Sequence, residues 1–229
     1  MKKFKLTSEF IVDISGVKLF RIKALIEFGN VKAGDLGGYI EKEENLSHMG
    51  DAWVSDDARI SGNAQVFGNA QVFGDAQVFG DAWVFGNAWV FGNAWVFGNA
   101  RVSGNARVSG NARVFGNAWV SGNARVFGDA QVSGNARVSG NARVSGDAQV
   151  FGDARVSGDK DYAYAHGFGS CNRTTTFFRL KDGDVGVRCG CFYGTLAQFR
   201  DKVCETHGET KKAQEYLMLA DLMEIRFKN

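Results

Sequence analysis

The chain has 229 residues, with 27 Lys and Arg against 25 Asp and Glu, a formal net charge of +2, 45% hydrophobic residues and no proline. A balance this near neutral excludes an extended nucleic-acid partner, because such binding scales with the number of phosphates neutralised. No apolar run approaches the ~20 residues of a membrane span, and the first residues, Met1 to Glu9, lack the apolar stretch of a signal peptide, so no membrane partner and a cytoplasmic location are expected.

From the N-terminus, Phe10 to Ile14, Val17 to Ile22 and Ala24 to Phe28 are short β-rich runs separated by glycine and charged turns. They predict a small β cap over residues 1–49. Such a cap has a physical purpose, since an open solenoid end leaves strand edges that would stack on another copy.

Eighteen hexads then run from Gly50 to Ser157 without an insertion, in the form Gly, Asn or Asp, Ala, X, Val, Phe or Ser, where X is Trp, Arg or Gln. Ala and Val are two residues apart, so in a strand they share one face, and X and Phe or Ser share the other. The first pair is the inside and the second the outside, with Gly-Asn or Gly-Asp turning the chain between strands. A single strand face of this kind has nothing to bury against, so the chain must coil. Three hexads per turn close a triangular prism of about six coils, roughly 29 Å long at ~4.8 Å per strand. Its narrow interior accounts for Ala at every third place.

The pairs Ala64 and Val66, Ala70 and Val72, and onward to Ala154 and Val156 resemble the signature of the hexapeptide-repeat, left-handed parallel β-helix superfamily. The entry segment Val31 to Tyr39, with Asn45-Leu-Ser and Gly50 to Val54, is similar to that of bacterial and prophage hexapeptide-repeat proteins, some of which carry an acetyltransferase label. The resemblance implies a mainly β fold, a phage or prophage origin, and hence a location in the host cytoplasm.

After Ser157 the repeat breaks, passes through the Gly- and Tyr-rich stretch from Tyr162 to Ser170, and becomes a C-terminal α+β domain over residues 158–229. Thr174 to Leu180 and Val185 to Cys189 read as a hairpin across residues 181–184. A helix is expected from about Leu196 to Thr206, with Thr195 as N-cap and Gly208 as its stop. A second takes Lys211 through Phe227, on the apolar stripe of Ala213, Tyr216, Leu217, Ala220 and Met223.

Three kinds of chemistry are weighed. Acyl-CoA-dependent acyl transfer, which the resemblance implies as one alternative, needs a base, and the histidines are His48, His166 and His207, all outside the repeat; no loop interrupts the coils. Cys189, Cys191, Cys204 and His207 make a Cys₃His zinc set conceivable, although C-x-C is an uncommon zinc spacing and buried free thiols are common, so no metal or cofactor is assigned. The third is the outside of the prism. Residues eighteen apart share a face, so Arg107, Arg125 and Arg143 form one column after Trp53, Gln71 and Trp89, and Phe79, Phe97 and Phe115 stack likewise.

Trp83, Trp89, Trp95, Trp119, Arg107, Arg125 and Arg143 are therefore the candidate binding residues. Arginines ~4.8 Å apart repel and attract counterions or an anionic ligand, while Trp beside Arg supplies a stacking plate and a phosphate fork. The reading that follows is a non-enzymatic scaffold that self-associates through its aromatic columns, with a homotrimer favoured and a small anionic ligand or protein partner on what remains exposed. A phage counter-defence protein that sequesters a nucleotide signal or blocks a host protein is the other alternative. Drift after repeat duplication would also produce the palette, since Phe/Ser, Asn/Asp, Trp/Arg and Gln/Arg are single-base changes.

Overall fold

The computed structural model describes residues 1–168 and 173–228; Cys171 and the end of the glycine-rich stretch, Gly169 and Ser170, lie outside the described residues. Each hexad forms a two-residue strand from its fourth and fifth places, as in Trp89–Val90. Strands three hexads apart pair in parallel and in register, so Trp89 opposes Arg107 and Val90 opposes Val108. Each Ala and Val of the hexads is buried, and their inward columns make one continuous core along the rod.

Three faces result. The first carries Arg59, Gln77, Trp95, Arg113, Gln131 and Gln149. The second carries Gln65, Trp83, Arg101, Trp119, Arg137 and Arg155. The third carries Trp53, Gln71, Trp89, Arg107, Arg125 and Arg143.

The parallel ladder makes about seven turns, one more than the hexads alone give, because it begins inside the segment read as a cap. Strands β1 (Phe4–Val12), β2 (Lys18–Ala24) and β3 (Leu36–Ile40) form an antiparallel run. Tyr39 and Ile40 of β3 then pair in parallel with Arg59 and Ile60, and Leu46 bridges Val66. The first face thereby becomes part of a nine-stranded sheet, against six strands for each of the others.

The second hexad departs from the common form, with Asp56 at the glycine place and Ile60 at the valine place. Among the described residues Asp56 is the one non-glycine with positive φ, at 55°. Its carboxylate accepts the Gly74 N–H at 2.9 Å, which offsets the left-handed backbone that Asp tolerates better than most residues. Elsewhere the place needs glycine on two counts. At Gly104 φ is +67°, and a Cβ would meet the Gly122 backbone N and O at 3.0 Å.

The rod has a direction. Outward residues donate their N–H to the coil that follows, as from Arg59 to the Ala76 carbonyl at 2.9 Å. The first coils therefore present unpaired carbonyls and the last coil unpaired N–H groups, and each must be met by the opposite chemistry. At the start, donors meet them. The Lys3 ammonium reaches the Gly50 and Ala52 carbonyls at 3.1 and 2.7 Å, and the Asn45 amide reaches those of Gly62 and Ala64 at 3.1 and 2.8 Å. Burial pushes the Lys3 pKa down to about 8, with Asp51 acting weakly the other way.

At the far end acceptors take over. The Arg143 N–H donates to Asp159 Oδ1 at 2.8 Å and the Gln149 N–H to Thr176 Oγ1 at 2.9 Å. Asp161 Oδ2 accepts from the Ser157 and Gly158 N–H groups and from the Ser157 hydroxyl, at 2.9, 3.0 and 2.6 Å. Burial alone would raise the Asp161 pKa, but these bonds and the nearby Arg179 outweigh it and hold the carboxyl below its ordinary value.

Asp159, Asp161 and Thr176 belong to the C-terminal unit. Its four-stranded antiparallel sheet runs Tyr162–Phe168, Arg173–Arg179, Val185–Cys189 and Phe192–Thr195. Helices α1 (Leu196–His207) and α2 (Lys211–Phe227) pack on it around Phe177, Val187, Phe199, Ala213, Tyr216 and Ala220. Thr195 and Gln198 form a reciprocal capping box, and Gly208 ends α1 with φ 56°. Thr210 caps α2, whose buried stripe is Ala213, Tyr216, Ala220, Met223 and Phe227.

Candidate functional site

The outward side chains pack by rule rather than standing free. Phenylalanines one coil apart stack nearly parallel, as Phe67 on Phe85 at 5.0 Å, Phe73 on Phe91 at 4.9 Å, and Phe79 on Phe97 at 4.9 Å with Phe115 following at 5.0 Å. A Trp of the next coil then sets its ring against the edge of the first Phe, at 6.1, 6.0 and 6.1 Å for Trp83, Trp89 and Trp95. Arg101, Arg107 and Arg113 lie over those three indoles at 5.0, 4.7 and 5.2 Å. Each such aromatic or cation–π contact contributes of order 0.5–1 kcal/mol.

Trp83, Trp89 and Trp95 stand in consecutive hexads, so they occupy the second, third and first faces at one level and ring the rod as a belt. They do not share a column. Trp83 and Trp89 remain 38% and 39% exposed. Trp119 sits higher on the second face, where its Nε1–H donates to Ser103 Oγ at 3.0 Å and Arg137 covers its ring at 5.6 Å. Arg107, Arg125 and Arg143 do form one column, on the third face.

Trp53, read from the sequence as outward, is buried. It packs edge-on to Phe28 at 5.4 Å, under the N-terminal strands, and a Cβ at Gly37 would collide with its ring.

Two features lay outside the sequence reading. The second place of the hexad, taken as a turn residue, builds hydrogen-bonded ladders. Asn99 donates to Asn117, Asn117 to Asn135 and Asn135 to Asp153, at 3.2, 3.2 and 3.1 Å. An aspartate accepts but cannot donate, so it ends a ladder. The signal was present in the eighteen-residue spacing of these amides. The other feature is a shallow groove of about 440 Å³ beside that ladder on the second face, walled by Arg101, Trp119, Arg137, Arg155 and Lys181. Lys181 comes from the C-terminal hairpin, whose position the repeat does not encode; its N–H donates to the Asp153 carbonyl at 3.2 Å.

The family model described as the YdcK beta solenoid repeat matches residues 58–74, 106–122, 118–134 and 130–146. The chain is similar to that repeat family over these windows. No curated protein sequence matches the chain. The matched windows lie within the rod, so the similarity supports a β-solenoid repeat.

The remaining candidates stand apart from the coils. His48 stacks on Phe4 at 4.4 Å and its Nδ1 accepts the Lys3 N–H at 3.2 Å. His166 shares a hydrogen bond with Thr174 Oγ1 at 2.9 Å, and His207 stacks on Tyr216 at 5.9 Å. Cys189 Sγ accepts from the Thr175 hydroxyl at 3.1 Å, while Cys191 and Cys204 are exposed. Among the described residues no three His, Cys, Asp or Glu side chains converge as a metal-binding group. No helix among them is long and apolar enough to cross a membrane.

Proposed function

We propose that this chain is a non-enzymatic binding rod, a left-handed solenoid of the hexapeptide type, that self-associates through its aromatic belt with three copies as the favoured assembly. The observation that carries this reading is the belt itself. Trp83, Trp89 and Trp95 present the same Phe-supported, Arg-covered indole on all three faces at one level. Exposed aromatic surface grouped in this way marks association sites. The coils carry outward Trp, Arg, Gln, Phe and Ser with no His among them, which supports binding over acid–base chemistry.

The test is the mass in solution of the full chain and of a variant with Trp83→Gln, Trp89→Gln and Trp95→Gln. Gln occupies the same place in Gln65, Gln71 and Gln77, so the hexad accommodates it. The native chain is expected at a multiple of its monomer mass and the variant at the monomer mass. Two monomers would sink the reading.

A further inference from the structure

We propose that the groove on the second face is a binding site for a linear oligophosphate, the chain of phosphates being the part recognised. This inference does not rest on self-association.

Charge supplies the first argument. Arg101, Arg137, Arg155 and Lys181 line the groove against the one carboxylate of Asp153. Among the described residues Arg101 and Arg137 form no salt bridge, and their guanidinium groups rest on the rings of Trp83 and Trp119 at 5.0 and 5.6 Å. A guanidinium held over an indole does not spend its N–H groups on the ring, and its planar fork is the shape that receives phosphate oxygens in pairs. Arg155 is anchored differently. Its Nη1 donates to the Asn135 and Ala154 carbonyls at 3.0 and 2.9 Å, which holds the group in place beside Asp153.

Shape supplies the second. Arg101, Trp119, Arg137 and Arg155 occupy successive rungs of one ladder, so the cations repeat along the rod axis at multiples of ~4.8 Å. A compact anion reaches one rung, whereas a chain of phosphates reaches several. The opposite wall is the ladder of Asn99, Asn117 and Asn135, where each amide spends one N–H on the next rung and keeps a second for a ligand. Lys181 closes the upper end. The third face holds Arg107, Arg125 and Arg143 in an equally regular column, and none of them lines this groove. That column is a control for the same charge.

Titration calorimetry of the full chain with inorganic tripolyphosphate, and in a second arm with ATP, tests the proposal. Tripolyphosphate is expected to bind, and the affinity to weaken as salt is raised. The double variant Arg101→Gln, Arg137→Gln is expected to lose about tenfold or more, since two charge-assisted contacts go. Gln is the repeat's own alternative at that place, as in Gln131 and Gln149, so the variant keeps its fold. The control Arg125→Gln, Arg143→Gln on the third face should retain native affinity. ATP binding as tightly as tripolyphosphate says that phosphate alone is read, and tighter ATP binding says that Trp119 also takes the base; either supports the site. Absence of tripolyphosphate binding at low salt, or equal losses in the two double variants, would overturn it.

Discussion

Replacing Asn45 with Asp is expected to cost about 3 kcal/mol of stability, although the side chain keeps its size. Asn45 is fully buried, and its amide nitrogen donates to the carbonyls of Gly62 and Ala64. A carboxylate there would set an acceptor against two acceptors. At the other end, Asp161→Asn can keep its amide oxygen toward the three donors, Ser157 N–H, Ser157 Oγ and Gly158 N–H, but it loses the charge that strengthens those bonds and turns its NH2 toward Arg179, whose Nε lies 3.7 Å from the second carboxylate oxygen. It should cost about 2–3 kcal/mol. Chemical denaturation of the full chain measures both; an unchanged midpoint for Asn45→Asp would show that the first end is not matched by hydrogen-bond polarity, and one for Asp161→Asn that the carboxylate charge does not hold the last coil.

Acid separates the two variants by sign. In the native chain the Asp161 carboxyl is held below its ordinary value, so its stabilisation is present above the unfolded Asp pKa of about 3.9 and is lost as pH falls through the folded value. Asp161→Asn removes that acid-sensitive step. The new carboxyl of Asn45→Asp behaves in the opposite way, since its buried, acceptor-facing site raises its pKa. Protonation turns it into a donor, so this variant should regain stability as pH falls from neutrality, under conditions where the native chain gains nothing from Asn45.

The rod was legible in the sequence because its constant places obey one rule. Ala and Val two apart at a period of six require coiling, and an eighteen-residue return places Arg107, Arg125 and Arg143 in one column, where the register has them. The same arithmetic puts Trp83, Trp89 and Trp95 on three different faces, since consecutive hexads always lie on consecutive faces. Caps and stripe residues gave α1 and α2.

What escaped depends on contacts between distant parts of the chain. Trp53 has the outward place of its hexad, yet Phe28 covers it from outside the repeat. Asn45 reads as an ordinary loop residue until the direction of the coil's carbonyls is known. The groove depends on Lys181, which the C-terminal sheet carries back to the last coil through the Ala154–Leu180 bridge. Periodicity describes how hexads meet one another, and it says nothing about what meets their ends.

A bulkier interior residue is expected to be the most damaging change to the rod. Ala106 is fully buried in the middle of the third face, with the Ala88 coil below it and Ala124 above. Every neighbour along its inner column is also Ala, so the extra carbons of Ala106→Leu meet no cavity and must push coils apart. Overpacking of this kind costs typically ~1–3 kcal/mol, and here the upper end is expected because a repeated backbone cannot relax at one coil without breaking register with the next. The consequence should be more than a lower midpoint. In a solenoid, stability is a chain of nearest-neighbour interfaces, so a weak central interface divides the rod into two units that unfold separately. Denaturation followed by far-UV circular dichroism should give two transitions for Ala106→Leu. Phe91→Ser, which deletes an outward ring stacked on Phe73 but uses the repeat's own alternative at that place, should keep one transition and lose only about 1 kcal/mol. If the two variants unfold alike, interior volume is not what holds the coils in register, and the constancy of Ala at that place would need another cause.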